Sequence, residues 1–586
     1  MYTLGINAAF HDTAACLVRD GVVIAAAEDE RFTHIKHGKR PVPFSAWELP
    51  YHAIDYCLAQ AGITLADVDH IAYSYDPAIQ LGERRGDETL TLPLEPSRHA
   101  RPTATGSPWD PLFLSYVVNA PRLLTSGVPH HLSRRFAGVT ADGPFRWHFV
   151  EHHMSHEASA FLAAPFDRCA VLTMDGRGER ATTSYGVFDG REYRRIKQID
   201  LPDSLGLLYE RVTRHLGFLH SSDEYKVMAL ASYGEPTRID VFRDMVRTDR
   251  EGGYRVAQFD LESVLGPARV RGSAFEAEHF NIARSLQAVL EETVLTMTEW
   301  LANETGERNL AMAGGVALNC VMNARVRDRS PFDGVWVQPA AGDAGTALGA
   351  ALWIDYQQRG RPSRNWSMEH AYLGPEYSEQ DIAAFLDQAK LSYRRMDDVA
   401  EETAALLAEN KIIGWFQGRM EFGPRALGAR SILASPIDPT MQQRLNEIKD
   451  REDFRPVAPV VMEERVADWF DATKPGDWRA PFMLFIFDVR PGRESLIPAV
   501  RHVDGTARVQ TVRREQNPAY YDLLAAFERR TGVPVLVNTS FNTRGEPIVC
   551  TPRDAVECFW TSPLDALVIG PFLLEKSRPE DNRARA

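Results

Sequence analysis

No window of the 586-residue sequence approaches the ~20 uninterrupted apolar residues of a membrane helix, so a spanning protein is not expected. The opening stretch MYTLGINAAFHD has no basic segment followed by a long apolar run, and no secretory leader is predicted. Cysteine is scarce. Cys16, Cys57, Cys169, Cys320, Cys550 and Cys558 form no CxxC, which argues against a cysteine-ligated zinc and for the reduced thiols of a cytoplasm. Positive charge is also in deficit: a formal net charge of −14 disfavours extensive nucleic-acid binding but permits a local basic pocket for a small anion. No GK[ST] follows any glycine-rich turn, so a Walker loop is excluded.

What is present suits a globular protein of more than one core, because a chain this long exceeds what one hydrophobic core encloses. The first thirty residues read as strand, polar tip, strand, Asp20-Gly21 turn and strand. The arrangement returns in CAVLTMDGRGERATTSYGVFDGREY, with a second acidic tip and a second turn at Asp189-Gly190. Two such units predict an internal duplication, the mark of actin-like ATPases; two unrelated meanders are the bland alternative. ITLADVDHIAYSYDP is expected to be a strand, and FNIARSLQAVLEETVLTMTEWLANET a helix ending near Gly306. Residues Gln80 to Arg146 are rich in Pro, Arg and Gly and read as an insertion available to shape an acceptor pocket, although its apolar island WDPLFLSYVV fits core packing equally. The apolar pattern lapses from Tyr356 to Glu369, which predicts a linker between domains 1–358 and 370–576. The terminal KSRPEDNRARA is expected to be disordered.

The stretch EHHMSHE crowds three histidines into five positions. On a helix His152 and His156 share a face and their rings can converge on a metal, while His153 points elsewhere. A histidine-rich polar helix face is the competing reading. Asp175 in TMDGRGE and Asp343 in GDAGTALGA, each beside glycine at an expected strand end, supply the carboxylates that favour Fe(II), Mn(II) or Zn(II). Gly314-Gly315, and Gly342 and Gly345 around Asp343, can turn backbone N–H groups toward an anion at a helix start, or serve only tight packing. His11 at the first tip suits a general base and Lys36 suits a phosphate ligand, against default readings of polar turn and solvated loop.

The second half concentrates arginine beside glycine. GWFQGRMEFGPRALGARSILA carries Arg419, Arg425 and Arg430; NEIKDREDFRPVAP adds Lys449 and Arg455, DGTARVQTV adds Arg508, and VNTSFNTRGEP adds Asn538, Ser540 and Arg544. Forked guanidinium bonds and close backbone approach predict a small-anion pocket, with a solvated surface as the alternative.

Together EHHMSHEASAF, TMDGRGE, EYKVMALASYG, GGVALN, GDAGTALG, GRMEFGPRALGARSI, FRPVAP and VNTSFNTRGEPIV resemble the nodulation-type O-carbamoyltransferases that decorate antibiotics and Nod factors. The resemblance runs from the first strand to about Leu574. It implies an α/β protein with an actin-like (ASKHA) duplicated N-terminal domain similar to threonylcarbamoyl transferases and a YrdC-like C-terminal domain. It further implies that carbamoyl phosphate and ATP give carbamoyl-AMP in the second domain, and that the first passes the carbamoyl group to a hydroxyl of a sugar, macrolide or aminoglycoside. Carried over by motif, His152, His156, Asp175 and Asp343 would hold a metal, with Fe(II) the family expectation, and His11 would be the base. Lys36, Gly315 and Asn319 would hold nucleotide, Arg425, Lys449, Arg455 and Ser540 carbamoyl phosphate, with Arg430, Arg508 and Asn538 near phosphate or ATP. Glu224 and Lys226 match a motif without an assigned role. A homodimer is a family habit. The competing activities are tRNA threonylcarbamoyl transfer, a non-haem iron oxygenase and a non-catalytic nucleotide-binding module.

Overall fold

The computed structural model describes residues 1–38, 49–81, 110–126, 145–474, 479–543 and 545–576. The chain forms two compact units, Met1–Met368 and Glu369–Ala586. Arg544 and the tail beyond Lys576 lie outside the described residues.

The first unit is built twice from one plan. Strands β1 (Tyr2–Asn7), β2 (Ala14–Arg19) and β3 (Val22–Glu28) form an antiparallel meander, and β4 (His70–Tyr73) and β5 (Arg146–Phe149) continue the sheet in parallel in the order β3-β2-β1-β4-β5. After β6 (Cys169–Met174), β7 (Ala181–Phe188) and β8 (Tyr193–Asp200) come a small ribbon, β9 (Val246–Thr248) with β10 (Tyr254–Val256), and then β11 (Asn309–Ala313) and β12 (Gly334–Val337). The second sheet, β12-β11-β6-β7-β8, repeats the pairing senses of the first. The duplication expected from the two Asp-Gly turns is therefore present, and with it the actin-like α/β architecture. Asp20, Gly21 and Gly190 have φ of 51°, 85° and 97°, the left-handed values that Asp-Gly hairpins require.

Each half ends in a helix that packs on the other half's sheet. His152–Phe161 follows β5 yet lies on β6, β7 and β11, and Ala344–Gln358 follows β12 yet lies on β1, β2 and β4. The two helices also pack against each other, closely enough that a Cβ on Gly349 would sit 1.8 Å from the Ser155 carbonyl oxygen. Small side chains make that approach possible.

Two expectations are corrected. Only His70–Tyr73 of the stretch ITLADVDHIAYSYDP is strand; Leu65–Asp67 is a 3-10 turn with Thr64 and Asp67 as its capping box. The long helix spans Ala277–Thr305 and stops at Gly306 in the left-handed conformation, as its pattern predicts. The helix after Gly314-Gly315, however, begins only at Cys320, with a 3-10 turn between. Within the Gln80–Arg146 insertion, Asp110–Ser126 is a helix that buries Leu114, Val117, Ala120, Leu123 and Leu124 in the core of the first sheet. At about 1.5–3 kcal/mol for each fully buried Leu or Val, that helix is structural; residues 82–109 and 127–144 of the insertion lie outside the described residues.

The second unit is a mixed α/β fold on an eight-stranded sheet. Its strands are β13 (Arg394–Arg395), β14 (Ile413–Phe416), β15 (Arg430–Ala434), β16 (Ala458–Met462), β20 (Gln510–Val512), β21 (Val535–Ser540), β22 (Ala566–Ile569) and β23 (Phe572–Glu575), in the order β13-β23-β22-β14-β15-β21-β16-β20. A three-stranded sheet of β17 (Phe470–Asp471), β18 (Ile486–Val489) and β19 (Thr506–Arg508) completes it. Helix Pro518–Thr531 starts on an Asn517 cap with proline in its first turn and ends at left-handed Gly532.

Candidate metal centre and anion-binding loop

Four residues from distant parts of the first unit converge. The helix His152–Phe161 brings His152 and His156 one turn apart, the tip after β6 brings Asp175, and Asp343 caps the Ala344–Gln358 helix. All four are buried, and one donor atom from each lies within 4.8 Å of all the others. The Nε2 atoms of His152 and His156 are 3.2 Å apart. Asp343 Oδ1 stands 3.6 and 3.7 Å from those two nitrogens, and Asp175 Oδ2 stands 3.7 Å from His152 Nε2. Separations above 3.5 Å are too long for hydrogen bonds but match the edges of a donor shell around an ion bound at about 2.0–2.2 Å. Asp343 Oδ1 and His156 Nδ1 are buried and make no hydrogen bond. A carboxylate oxygen in that condition is costly unless a cation meets it, so the residues fit a divalent metal. His152 Nδ1 lies 3.3 Å from the Ser74 carbonyl, to which its N–H donates, leaving Nε2 bare toward the centre.

The charges agree with the geometry. Burial alone would lower His152, but the negative charges of Asp343 and Asp175 hold it well above the ordinary imidazole range. Burial alone would raise Asp175; the charges of the nearby imidazoles hold it well below the carboxylate range. His153 is separate: its Nδ1 faces Thr173 and Ser184 hydroxyls at 3.2 and 3.3 Å, and burial pushes it well down.

The backs of these ligands are held too. Buried Glu157, on the histidine helix, receives Arg195 Nε and Nη2 at 2.7 and 3.1 Å, while Arg195 Nη1 bonds Glu151 at 2.9 Å. Glu179 accepts the His152 N–H at 3.0 Å and the Asp76 N–H at 2.6 Å. Sequence reading missed Arg195, Glu157 and Glu179, whose partners lie far off in the chain.

His11 stands at the edge of the centre, with Nε2 3.6 Å from Asp343 Oδ2 and Nδ1 3.0 Å from Asp12 Oδ2. The other Asp12 oxygen pairs with His37 Nδ1 at 2.8 Å. Lys36 is half-buried in the neighbouring turn Lys36–Gly38. Gly315 and Asn319, expected at a nucleotide, both make contacts within the first unit. The Gly315 N–H donates to Asp175 Oδ1 at 2.8 Å and so steadies that carboxylate. Asn319 caps the Cys320–Arg329 helix through Met322 N–H at 2.9 Å and exchanges amide hydrogen bonds with Gln287. Glu224 accepts the Ser221 N–H at 2.6 Å, and Lys226 pairs with Asp223 at 3.3 Å.

In the second unit the anion candidates gather around the end of β21. Ser540 pairs with Ser431 of β15, and Asn538 with Leu433 of β15 and Ala458 of β16. Lys449 Nζ donates to Ser540 O at 2.5 Å, Ser540 Oγ at 3.1 Å, Asn542 O at 3.1 Å and Asn542 Oδ1 at 2.7 Å. The ammonium thereby shapes the turn that presents Ser540. Arg430 lies deeper in the unit. It is 0% exposed, stacked 3.6 Å over the Phe416 ring, and its Nη atoms donate to the carbonyls of Gln417, Gly418, Ala429 and Pro375. Arg419 donates to Leu373 and Gly374 carbonyls. Asn538 Nδ2 bonds Ala426 O and Gln510 Oε1, while its buried Oδ1 makes no hydrogen bond and keeps its acceptor capacity. Arg425, Arg455 and Arg508 are half-buried, and Arg455 lies 3.6 Å from Glu452.

Beside Arg508, partly buried His502 is pushed down to about 4, chiefly by burial, with Arg508 adding to the shift against Asp504. The unfolded chain would bind this proton near pH ~6.5, before the folded one does. The stability from neutral His502 is complete above that pH and declines as pH falls toward 4, by at most roughly 3 kcal/mol. Urea unfolding at pH 7 and pH 4.5 should show a smaller loss in His502→Gln than in the parent. Equal losses would reject this source of acid sensitivity.

The carbamoyltransferase N-terminus family model matches residues 2–81 and 144–352, and the carbamoyltransferase C-terminus model matches 404–576. An uncharacterized protein of Synechocystis sp. is 42% identical over 98% of this chain and 97% of its own. Nodulation protein NolNO of Sinorhizobium fredii is 40% identical over 98% of this chain and 81% of its own. The activator of the 2-hydroxyisocaproyl-CoA dehydratase from Clostridium difficile with bound ADPNP covers 61% of this chain and 96% of its own at 11% identity, with a TM-score of 0.31.

Proposed function

Because the chain belongs to the carbamoyltransferase family, we propose that it is an ATP-dependent O-carbamoyltransferase whose acceptor is a hydroxyl of a small natural product such as a sugar, macrolide or aminoglycoside. The observation that carries this reading is the placement of His11 Nε2 3.6 Å from Asp343, beside a buried four-donor centre. A base is thereby set where a cation would sit.

In this reading the second unit, taken as YrdC-like, lets water cleave carbamoyl phosphate to carbamate and phosphate; a carbamate oxygen then attacks the α-phosphorus of ATP, forming carbamoyl-AMP as the bond to pyrophosphate breaks. The step is useful because nitrogen lone-pair donation makes a carbamoyl carbon a poor electrophile, and an adenylate gives it a good leaving group. Arg425, Arg455, Arg508 and Ser540 bind the anionic oxygens. In the first unit the acceptor oxygen attacks the carbamoyl carbon, the bond to the AMP oxygen breaks, and His11 Nε2 takes the hydroxyl proton. Asp12 on Nδ1 orients that ring, as the carboxylate does in other histidine bases. A divalent cation held by His152, His156, Asp175 and Asp343 would supply positive charge for the departing phosphate. Fe(II) suits the imidazole-carboxylate set, as do Mn(II) and Zn(II). Lys36 serves the nucleotide, and the protein acts in the cytoplasm.

Incubation with carbamoyl phosphate, ATP and a panel of hydroxylated sugars, macrolides and aminoglycosides tests the reading by mass. One added carbamoyl unit, with AMP release that depends on carbamoyl phosphate, is the expected result. AMP release indifferent to carbamoyl phosphate would remove the basis for this assignment.

A further inference from the structure

The loop between β14 and β15 is held by its own backbone to a degree unusual for a ligand loop. Leu427 N–H and Ala429 N–H each donate to Glu421 Oε1 at 2.7 Å, and Arg430 N–H reaches the same oxygen at 3.3 Å. The Leu427 carbonyl accepts from Tyr372 Oη and Gln510 Nε2, both at 2.7 Å. Gly428 donates to Ser431 Oγ at 3.1 Å and accepts from Trp415 Nε1 at 2.9 Å. The Ala429 carbonyl accepts from Gln417 N–H at 2.9 Å, and that of Ala426 from Asn538 at 3.1 Å. Every main-chain polar group from Leu427 to Ala429 therefore has a partner inside the protein. Gly428 adopts φ of 105°, and a Cβ there would lie 2.1 Å from the Tyr520 ring, so the loop has one shape available.

Glu421, only 2% exposed, is the hub. A carboxylate is an odd choice beside an anion site, because its charge opposes the ligand's. Two facts resolve that. An ionised oxygen makes stronger hydrogen bonds to N–H groups than a neutral amide oxygen does, and here one oxygen serves three. Arg430, buried next to it, carries the opposite charge. The pair cancels internally, so Glu421 adds little net charge against an anion at the half-buried Arg425.

We propose that Glu421 is a positioning residue that sets the Arg425 loop in its anion-binding shape before any ligand arrives. The proposal rests on the reading above that Arg425 receives carbamoyl phosphate. It is tested in the full-length protein with E421Q and E421A, measuring KM for carbamoyl phosphate, kcat of AMP release, Tm, and hydrogen exchange at Leu427 and Ala429 without ligand. E421Q keeps the side-chain shape and is expected to raise that KM about tenfold with kcat changed less than about threefold, and to speed exchange at both amides. E421A is expected to raise KM further. A solely structural role would lower Tm and the active fraction and leave KM alone; unchanged KM and unchanged exchange in E421Q would overturn the proposal. Arg425→Ala run in parallel separates the two claims: if it leaves KM for carbamoyl phosphate unaltered while E421Q still loosens the loop, the functional reading fails and the loop architecture stands.

Discussion

Asp175→Ala is expected to yield a folded protein that retains no divalent metal after dialysis and transfers no carbamoyl group, while its carbamoyl-phosphate-dependent AMP release persists. The side chain joins two structures. Its Oδ2 stands 3.7 Å from His152 Nε2, and its Oδ1 accepts the Gly315 N–H at 2.8 Å. Truncation removes a negative donor and also frees the turn after β11. Asp175→Asn isolates the first effect, since an amide retains an oxygen for Gly315 but brings no charge. Loss of even an outer partner of a metal ligand commonly weakens binding ten- to a hundredfold, so loss of a charged ligand should exceed about a hundredfold. Metal content by atomic emission and product by mass check both variants. Full metal content in Asp175→Asn would place the ion elsewhere.

Arg425→Ala should have the opposite signature: metal retained, and carbamoyl-AMP formation reduced at least about a hundredfold, the usual consequence of removing one donor aimed at developing charge. Arg425→Lys keeps the charge and loses the fork, so it should recover only part of the rate. The main-chain groups from Leu427 to Ala429 are held by partners other than Arg425, and neither substitution should lower Tm by more than a few degrees. Adenylate formed at the parent rate by Arg425→Ala would show that the two units do not divide the chemistry as proposed.

How much of this was legible in the chain depends on the range of the interaction concerned. The two Asp-Gly turns are local, and they announced a duplication that the sheets contain. His152 and His156 are four apart, so helical geometry alone put them on one face; Asp175 and Asp343 could be read as strand-end carboxylates, though not as neighbours. Arg425 and Arg430 looked equivalent in the sequence. They differ because the backbone turns between them: Arg425 is half-buried, whereas Arg430 lies fully buried on Phe416 and four carbonyls. The contacts of Asn319 and Lys449 were hidden for a similar reason: polar residues beside glycine-rich turns serve ligands, backbone or both, and the sequence does not show their tertiary partners. Glu421 carried no signal, because its three donors are recognised only once the loop has closed around it.

The close seat of Gly349 against Ser155 has a consequence for ion choice. Two backbones pressed to contact behave as a rigid calliper, and neither can retreat to admit a wider sphere without parting the two sheets they lie on. Calcium, which prefers oxygens at about 2.3–2.6 Å, would have to force that calliper open, whereas ions of first-row transition-metal size would not. In the proposed reading, screening by ionic radius is thus delegated to a spot beside His156 on one helix and about two turns beyond Asp343 on the other.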